Sequence, residues 1–185
     1  MAADERSLVL QRQRQLKWKQ LDWLESLLML LCGFTLFAFS LSVVCDIVTR
    51  EIGRPWLWLQ KITSTFFIYG IFIGAAVATR RNDHLYLAAV GESMTGRARL
   101  AIETAIRLVV ITVGLFLVYF GYVNFLRGFS SFRMPSMTPI ASLYAAIPLS
   151  GGLIALFAFE QLVNGWKHGF EETAEDRAAR MDNPV

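Results

Sequence analysis

Long apolar stretches set off by charged residues dominate this chain. Four uncharged runs stand out: 26–45 between Glu25 and Asp46, 62–79 between Lys61 and Arg80, 108–126 between Arg107 and Arg127, and 134–159 between Arg133 and Glu160. A helix rising about 1.5 Å per residue needs about 20 residues to cross a hydrocarbon core of about 30 Å, and each run approaches or exceeds that length. None alternates with the period of two that a barrel strand shows. Lipid leaves no water to satisfy open backbone groups, so the pattern predicts four transmembrane helices, an all-α integral membrane protein. The expected spans are about 24–48, 58–80, 100–127 and 139–163, within a membrane domain over 23–168. Residues 1–22 form a cytoplasmic, interfacial segment, and 169–185 a charged tail that frays after a short helix.

Finer signals refine this map. Leu10, Trp18, Leu21 and Leu24 share one side of a projected helix, although Arg14 and Lys17 intrude, so the N-terminal stretch reads as an amphipathic helix on the inner leaflet. Gly53, Arg54 and Pro55 break the chain between the first two spans, with Trp56 and Trp58 where an aromatic belt belongs. The third helix starts near Thr95. Thr138-Pro139 reads as an N-cap followed by a first-turn proline, and Pro148 is expected to kink the fourth helix.

Charge sets the orientation, because cytoplasmic loops carry the excess of Lys and Arg. One side holds Arg6, Arg12, Arg14, Lys17, Lys19, then Arg80, Arg81, Arg97, Arg99 and Arg107, then Lys167, Arg177 and Arg180; the other holds Arg50, Arg54, Lys61, Arg127 and Arg133. Both termini are therefore expected in the cytoplasm. More than twenty polar-rich residues precede the first run without a cleavage pattern, so that run is expected to stay in the mature protein. A hydrophobic content of 55% exceeds the about 45–50% of ordinary soluble domains, in line with a lipid environment. The net charge of +3 is clustered beside apolar runs, which favours phospholipid headgroups over nucleic acid as partners. Cys32 and Cys45 would stand about 20 Å apart on one helix, too far for a disulfide.

The middle of each run lacks Asp, Glu, Lys, Arg and His, the residues that mark an ion or acid pathway. Asp46 with Arg50, and Glu103 with Arg107, are spaced i,i+4 at span ends, which reads as local ion pairing at headgroup depth rather than a gate. His84 and His168 fall outside the spans, where neither suits a haem between helices; His84 reads as an interfacial side chain bonding a loop. No phosphate-cradling loop, metal-ligand cluster or nucleophile triad can be assembled, so neither catalysis nor a cofactor is expected. The clearest positive signal is small residues. Gly70, Gly74 and Ala78 recur every fourth position, and Gly114 and Gly121 share a face, allowing close helix approach within this chain or against another subunit. Phe34, Phe37 and Phe39, with Phe66, Phe67 and Phe72, require lipid or a partner.

The stretch Asp46-Ile47-Val48-Thr49-Arg50, then Gly53-Arg54-Pro55-Trp56-Leu57-Trp58, Gly74-Ala75-Ala76, Arg80-Arg81 and His84-Leu85 resembles the small membrane subunit of tripartite ATP-independent periplasmic (TRAP) transporters, the DctQ family. Met137-Thr138-Pro139 through Pro148-Leu149-Ser150-Gly151-Gly152 is similar to that family's last helix, so the resemblance covers roughly 23–168. It departs where Gln60 and Lys61 follow Trp58 and where Ala88 stands four residues after His84, positions at which the family tends to be acidic. The resemblance implies a bacterial inner-membrane scaffold subunit, paired with a large polytopic subunit that carries the substrate and sodium sites. It also implies a periplasmic binding protein that delivers an organic acid. Under this reading Arg50, Arg54, Trp56 and Trp58 meet lipid or a partner on the outer side, and Arg80, Arg81 and His84 anchor the inner side. Two rivals make different predictions: a self-sufficient homodimeric transporter shows flux alone, and an electron-transfer anchor shows a haem band.

Overall fold

The computed structural model describes residues 16–81, 97–133 and 138–168; the stretch 1–15, His84 and the tail 169–185 lie outside them. A 3-10 turn at Lys19–Leu21 leads into α1 (Asp22–Glu51), followed by α2 (Leu59–Arg81) and α3 (Arg97–Gly128). A two-residue antiparallel pair, β1 (Phe132–Arg133) with β2 (Thr138–Pro139), then precedes a short α4 (Ala141–Tyr144) and α5 (Ala146–His168). Four helical stretches, Lys19–Glu51, Leu59–Arg81, Leu100–Gly128 and Ala141–Lys167, are long and apolar enough to cross a membrane.

The ends of these helices have local causes. Asp22 and Glu25 place acidic groups in the first turn of α1, at the positive end of its dipole. Gly53 closes the other end at φ +74°, with its N–H on the Arg50 carbonyl (3.0 Å) and the Arg54 N–H on the Thr49 carbonyl (3.0 Å). Those two bonds form a Schellman cap, and its left-handed position suits glycine. Pro148 lacks the N–H that would bond the Tyr144 carbonyl, and the helix breaks where that bond is missing, between α4 and α5. The last helix does not begin at Thr138-Pro139 as the sequence suggests: the Thr138 backbone pairs with that of Arg133 in the short β ladder, the Ile140 N–H continues the turn onto the Ser131 carbonyl (3.0 Å), and Ile140 takes the N-cap position before Ala141.

Packing runs as a row, α1 on α2, α2 on α5 and α5 on α3. The core lies around the α2–α5 crossing, where Ala76, Val77, Ile154 and Phe157 meet Leu28 of α1. Small residues permit the close approaches. A Cβ placed on Gly70 would lie 3.2 Å from Thr35 Oγ1 on α1, and one on Gly74 3.5 Å from Cys32 Sγ. On the other flank, a Cβ on Gly114 would lie 3.0 Å from the Gly151 carbonyl, and one on Gly121 2.8 Å from the Pro148 ring. Ala78 is half-buried. Three polar side chains bond across the helix contacts: Ser150 Oγ bonds the Phe72 carbonyl (2.8 Å), Thr63 Oγ1 bonds Ser42 Oγ (3.0 Å), and the Tyr69 hydroxyl bonds the Ser142 carbonyl (2.8 Å).

Candidate functional site

Two features stand apart from ordinary helix packing: a charged hub at one end of the row and large apolar faces along its flanks. At the hub, the end of α2 meets the start of α1 and the second half of α5. Arg80 lies at its centre and is completely enclosed. Its Nε donates to Glu160 Oε2 (3.2 Å), and one terminal nitrogen donates to Glu25 Oε2 (2.9 Å) and the Leu21 carbonyl (2.7 Å). The other donates to Asp22 Oδ1 (3.1 Å), Glu160 Oε1 (3.2 Å) and the Trp18 carbonyl (3.0 Å). The planar fork of five N–H groups suits this cage of carboxylates and carbonyls, and the guanidinium carbon also sits 5.5 Å from the Phe157 ring centre.

Neighbouring groups complete the charge balance. Arg81 Nε donates to Glu25 Oε1 (3.1 Å), and Lys17 Nζ stands 3.9 Å from Glu25 Oε2. Three carboxylates, Asp22, Glu25 and Glu160, thus face three cations, Lys17, Arg80 and Arg81. Gln161 donates to the Thr79 (2.9 Å) and Arg80 (3.1 Å) carbonyls in the last turn of α2. The incoming segment is fastened to α5 as well: the Trp18 N–H bonds Glu160 (2.5 Å), its indole N–H bonds Asn164 Oδ1 (2.7 Å), and Asn164 donates to the Leu16 carbonyl (3.1 Å). This arrangement ties the end of α2, the start of α1, the second half of α5 and the entering chain together. Its charges are consumed by one another, so it forms a clasp rather than a path for a solute.

These positions revise the sequence expectation for Arg80. It is enclosed by protein rather than set among headgroups, because carboxylates from two other helices converge on it. Arg81 is mostly covered and shares Glu25, while Leu16 and Lys17, at the end of the expected interfacial segment, are buried. At the opposite end, Arg50 pairs with Asp46 (3.0 Å) and stays half exposed, and Arg54 is exposed. Trp56 and Trp58 are exposed and stack at 5.6 Å. Arg107 is bonded to the side chain of Glu103 and to its carbonyl (3.1 Å), and it too is buried against protein. Glu25, Glu160, Gln161, Asn164 and Trp18 carry the hub; the sequence pattern marks Glu25 and Glu160 only as run boundaries and Trp18 only as part of an interfacial face, and gives no sign of Gln161 or Asn164. Among the described residues, no group of three His, Cys, Asp or Glu side chains is placed to hold a metal ion.

The second feature is the flanks. α1 exposes Leu30, Phe37, Leu41 and Val48, and α3 exposes Val109, Leu115, Phe116 and Tyr119. Some of the aromatic residues pair across the α1–α2 contact while Phe34 and Phe67 stay exposed: Phe34 meets Phe66 edge-on (6.4 Å), and Phe39 meets Phe67 (5.3 Å). Exposed apolar surface this large needs lipid or another protein.

Four long apolar helices with a charged clasp at one end define a multi-pass α-helical membrane protein. Residues 39–168, well over half of the chain, match the family described as "Tripartite ATP-independent periplasmic transporters, DctQ component", and the chain belongs to that family. It is 24% identical over 133 residues to the sialic acid TRAP transporter permease protein SiaT of Haemophilus influenzae, a match covering 70% of this chain and 21% of that protein. It is 21% identical over 132 residues to the sialic acid TRAP transporter small permease protein SiaQ of Vibrio cholerae, covering 67% of this chain and 75% of that protein. The chain thus spans about a fifth of the Haemophilus relative and three quarters of the Vibrio one. The family is a transporter component, not an enzyme.

Proposed function

We propose that this chain is the small permease subunit of a sodium-coupled TRAP transporter in a bacterial inner membrane, with both termini cytoplasmic. It braces a large elevator-type membrane subunit, which holds the substrate and sodium sites, while a periplasmic binding protein delivers an organic acid. The observation that carries this reading is the row itself. Its outer helices present wide apolar faces, and its buried charges are locked together at one end rather than strung along the interior. A moving subunit needs a neighbour that does not deform, and the clasp around Arg80 holds α1, α2 and α5 in fixed relation. The sialic acid named for both relatives falls in the organic-acid class, which supports a carboxylate substrate for the assembled transporter.

Solubilising the tagged chain from its native membrane in mild detergent tests the reading. A large multi-pass permease is expected to co-purify in stoichiometric amount. Recovery of this polypeptide alone, across several detergents, would overturn it.

A further inference from the structure

The two flanks of the row differ in one chemical respect. On α1 the exposed hydroxyl, Ser40, closes onto the Leu36 carbonyl of its own helix (3.0 Å), and Thr112 on α3 does the same with Leu108 (2.8 Å). Such groups are tolerated by lipid because nothing is left unbonded. The Tyr119 hydroxyl has no hydrogen-bond partner among the described residues, and the side chain is 65% exposed. It lies eight residues before Arg127, about 12 Å along the axis, within the uncharged run 108–126. Helix side chains lean toward the N-terminus, so its hydroxyl is carried away from the nearer membrane surface and toward the bilayer centre. Tyrosines that face lipid belong at the headgroup level, where the hydroxyl is wet. Tyr119 is too deep for that, and an unbonded hydroxyl among acyl chains is costly.

Its surroundings resemble a prepared contact. Tyr119 meets Phe120 edge-on (5.2 Å), Phe120 stacks with Phe116 (6.0 Å), and all three are more than half exposed. They stand away from the face of α3 that Gly114 and Gly121 press onto α5. Aromatic side chains held in place by one another, with one polar tip, are enriched where proteins meet. The stretch matched by the family, 39–168, holds all of α3 but less than half of α1.

We propose that the α3 face centred on Tyr119 is where the large membrane subunit docks. Phe116 and Phe120 pack on one of its transmembrane helices, and the Tyr119 hydroxyl donates to an acceptor there, a Ser, Thr or Asn oxygen or an open carbonyl. This rests on the functional reading above. The α1 face, whose exposed Ser40 hydroxyl is closed onto its own helix, is the one turned to lipid.

The test uses the complete complex captured through a tag on this chain, following release of the large subunit from the resin. Tyr119→Phe removes only the hydroxyl and is expected to speed release roughly three-fold, in line with hydrogen bonds between membrane helices. Phe116→Ala with Phe120→Ala is expected to speed it at least ten-fold, whereas Phe37→Ala with Leu41→Ala on α1 leaves it unchanged. The melting midpoint of each isolated variant, expected within a few degrees of the parent, separates docking from folding. Unchanged release for the α3 variants, or faster release for the α1 pair, overturns the assignment while leaving the subunit reading intact. Loss of a homodimer with the large subunit still retained gives the face to a second copy and overturns it too. Absence of any large subunit from the parent preparation defeats the functional reading, and this inference with it.

Discussion

Arg80→Met is expected to leave little folded protein, with a stability loss of about 3–5 kcal/mol, the range seen when one partner of a buried ion pair is removed. The substitution leaves Glu160 without a cation and Glu25 with only Arg81 and Lys17, both carboxylates being fully buried, and takes one donor from each of the Trp18 and Leu21 carbonyls. A loss of that size is a large part of the about 5–15 kcal/mol that holds a typical domain together. Arg80→Lys is expected to recover only a minor part, since a single ammonium with three donors cannot span carboxylates on two sides and two carbonyls at once. Replacing Arg80 and Glu160 together by methionine is expected to be milder than Arg80→Met alone, because Asp22 and Glu25 then still face Lys17 and Arg81 and Glu160 is no longer a buried carboxylate without a cation. Melting midpoints in detergent, read with the size-exclusion profile, check this ordering. An Arg80→Met protein that melts with the parent would show that the clasp does not hold the helix ends.

Gly151→Ala is expected to have the next largest effect, about 1–3 kcal/mol of destabilisation from overpacking. A Cβ there would fall 2.7 Å from Leu117 Cβ, 2.8 Å from the Gly114 carbonyl oxygen and 2.9 Å from the Val118 nitrogen. Two of these are backbone atoms and cannot swing aside, so α3 and α5 must separate along their tightest contact. The gain of up to about 1 kcal/mol from replacing a helical glycine with alanine is too small to offset that. Gly33→Ala provides the contrast: nothing lies within 4 Å of a Cβ at that position, so the same change is expected to leave the midpoint unchanged or raise it slightly. Thermal unfolding of the two variants beside the parent reads the difference directly. Equal midpoints would mean that α3 and α5 are not in the contact described.

The membrane helices were legible because their signal is local: an uncharged run of about 20 residues has few other meanings. The small-residue spacing at Gly70 and Gly74 likewise signals close approach, but a spacing carries no address. Gly70 meets Thr35 of α1, while Gly114 and Gly121 meet α5, and so the row order is a property of the folded molecule. Gly151 sits in a motif noted only for its family likeness, and its contact with α3 was not visible in that motif. Arg80 is the instructive case. A basic residue at the end of an apolar run reads by default as a headgroup anchor, and no window around it suggests otherwise. What buries it is Glu25 and Glu160, which stand 55 and 80 positions away and were read as mere boundaries of their runs. The available signal was joint: both acids and both arginines fall at the ends of runs assigned to the same side of the membrane. Glu160 also stands inside α5, which continues to His168, so that carboxylate needed a partner within the protein.

Solute flux into sealed vesicles tests the central claim most directly. Vesicles holding this chain alone, with a sodium gradient and a panel of labelled organic acids, each with the binding protein of the same transporter, are expected to show no uptake above empty vesicles. Adding the large subunit to the same membranes is expected to produce sodium-dependent uptake. Uptake by the chain on its own would contradict the account, because the helices would then supply a route that a scaffold does not need.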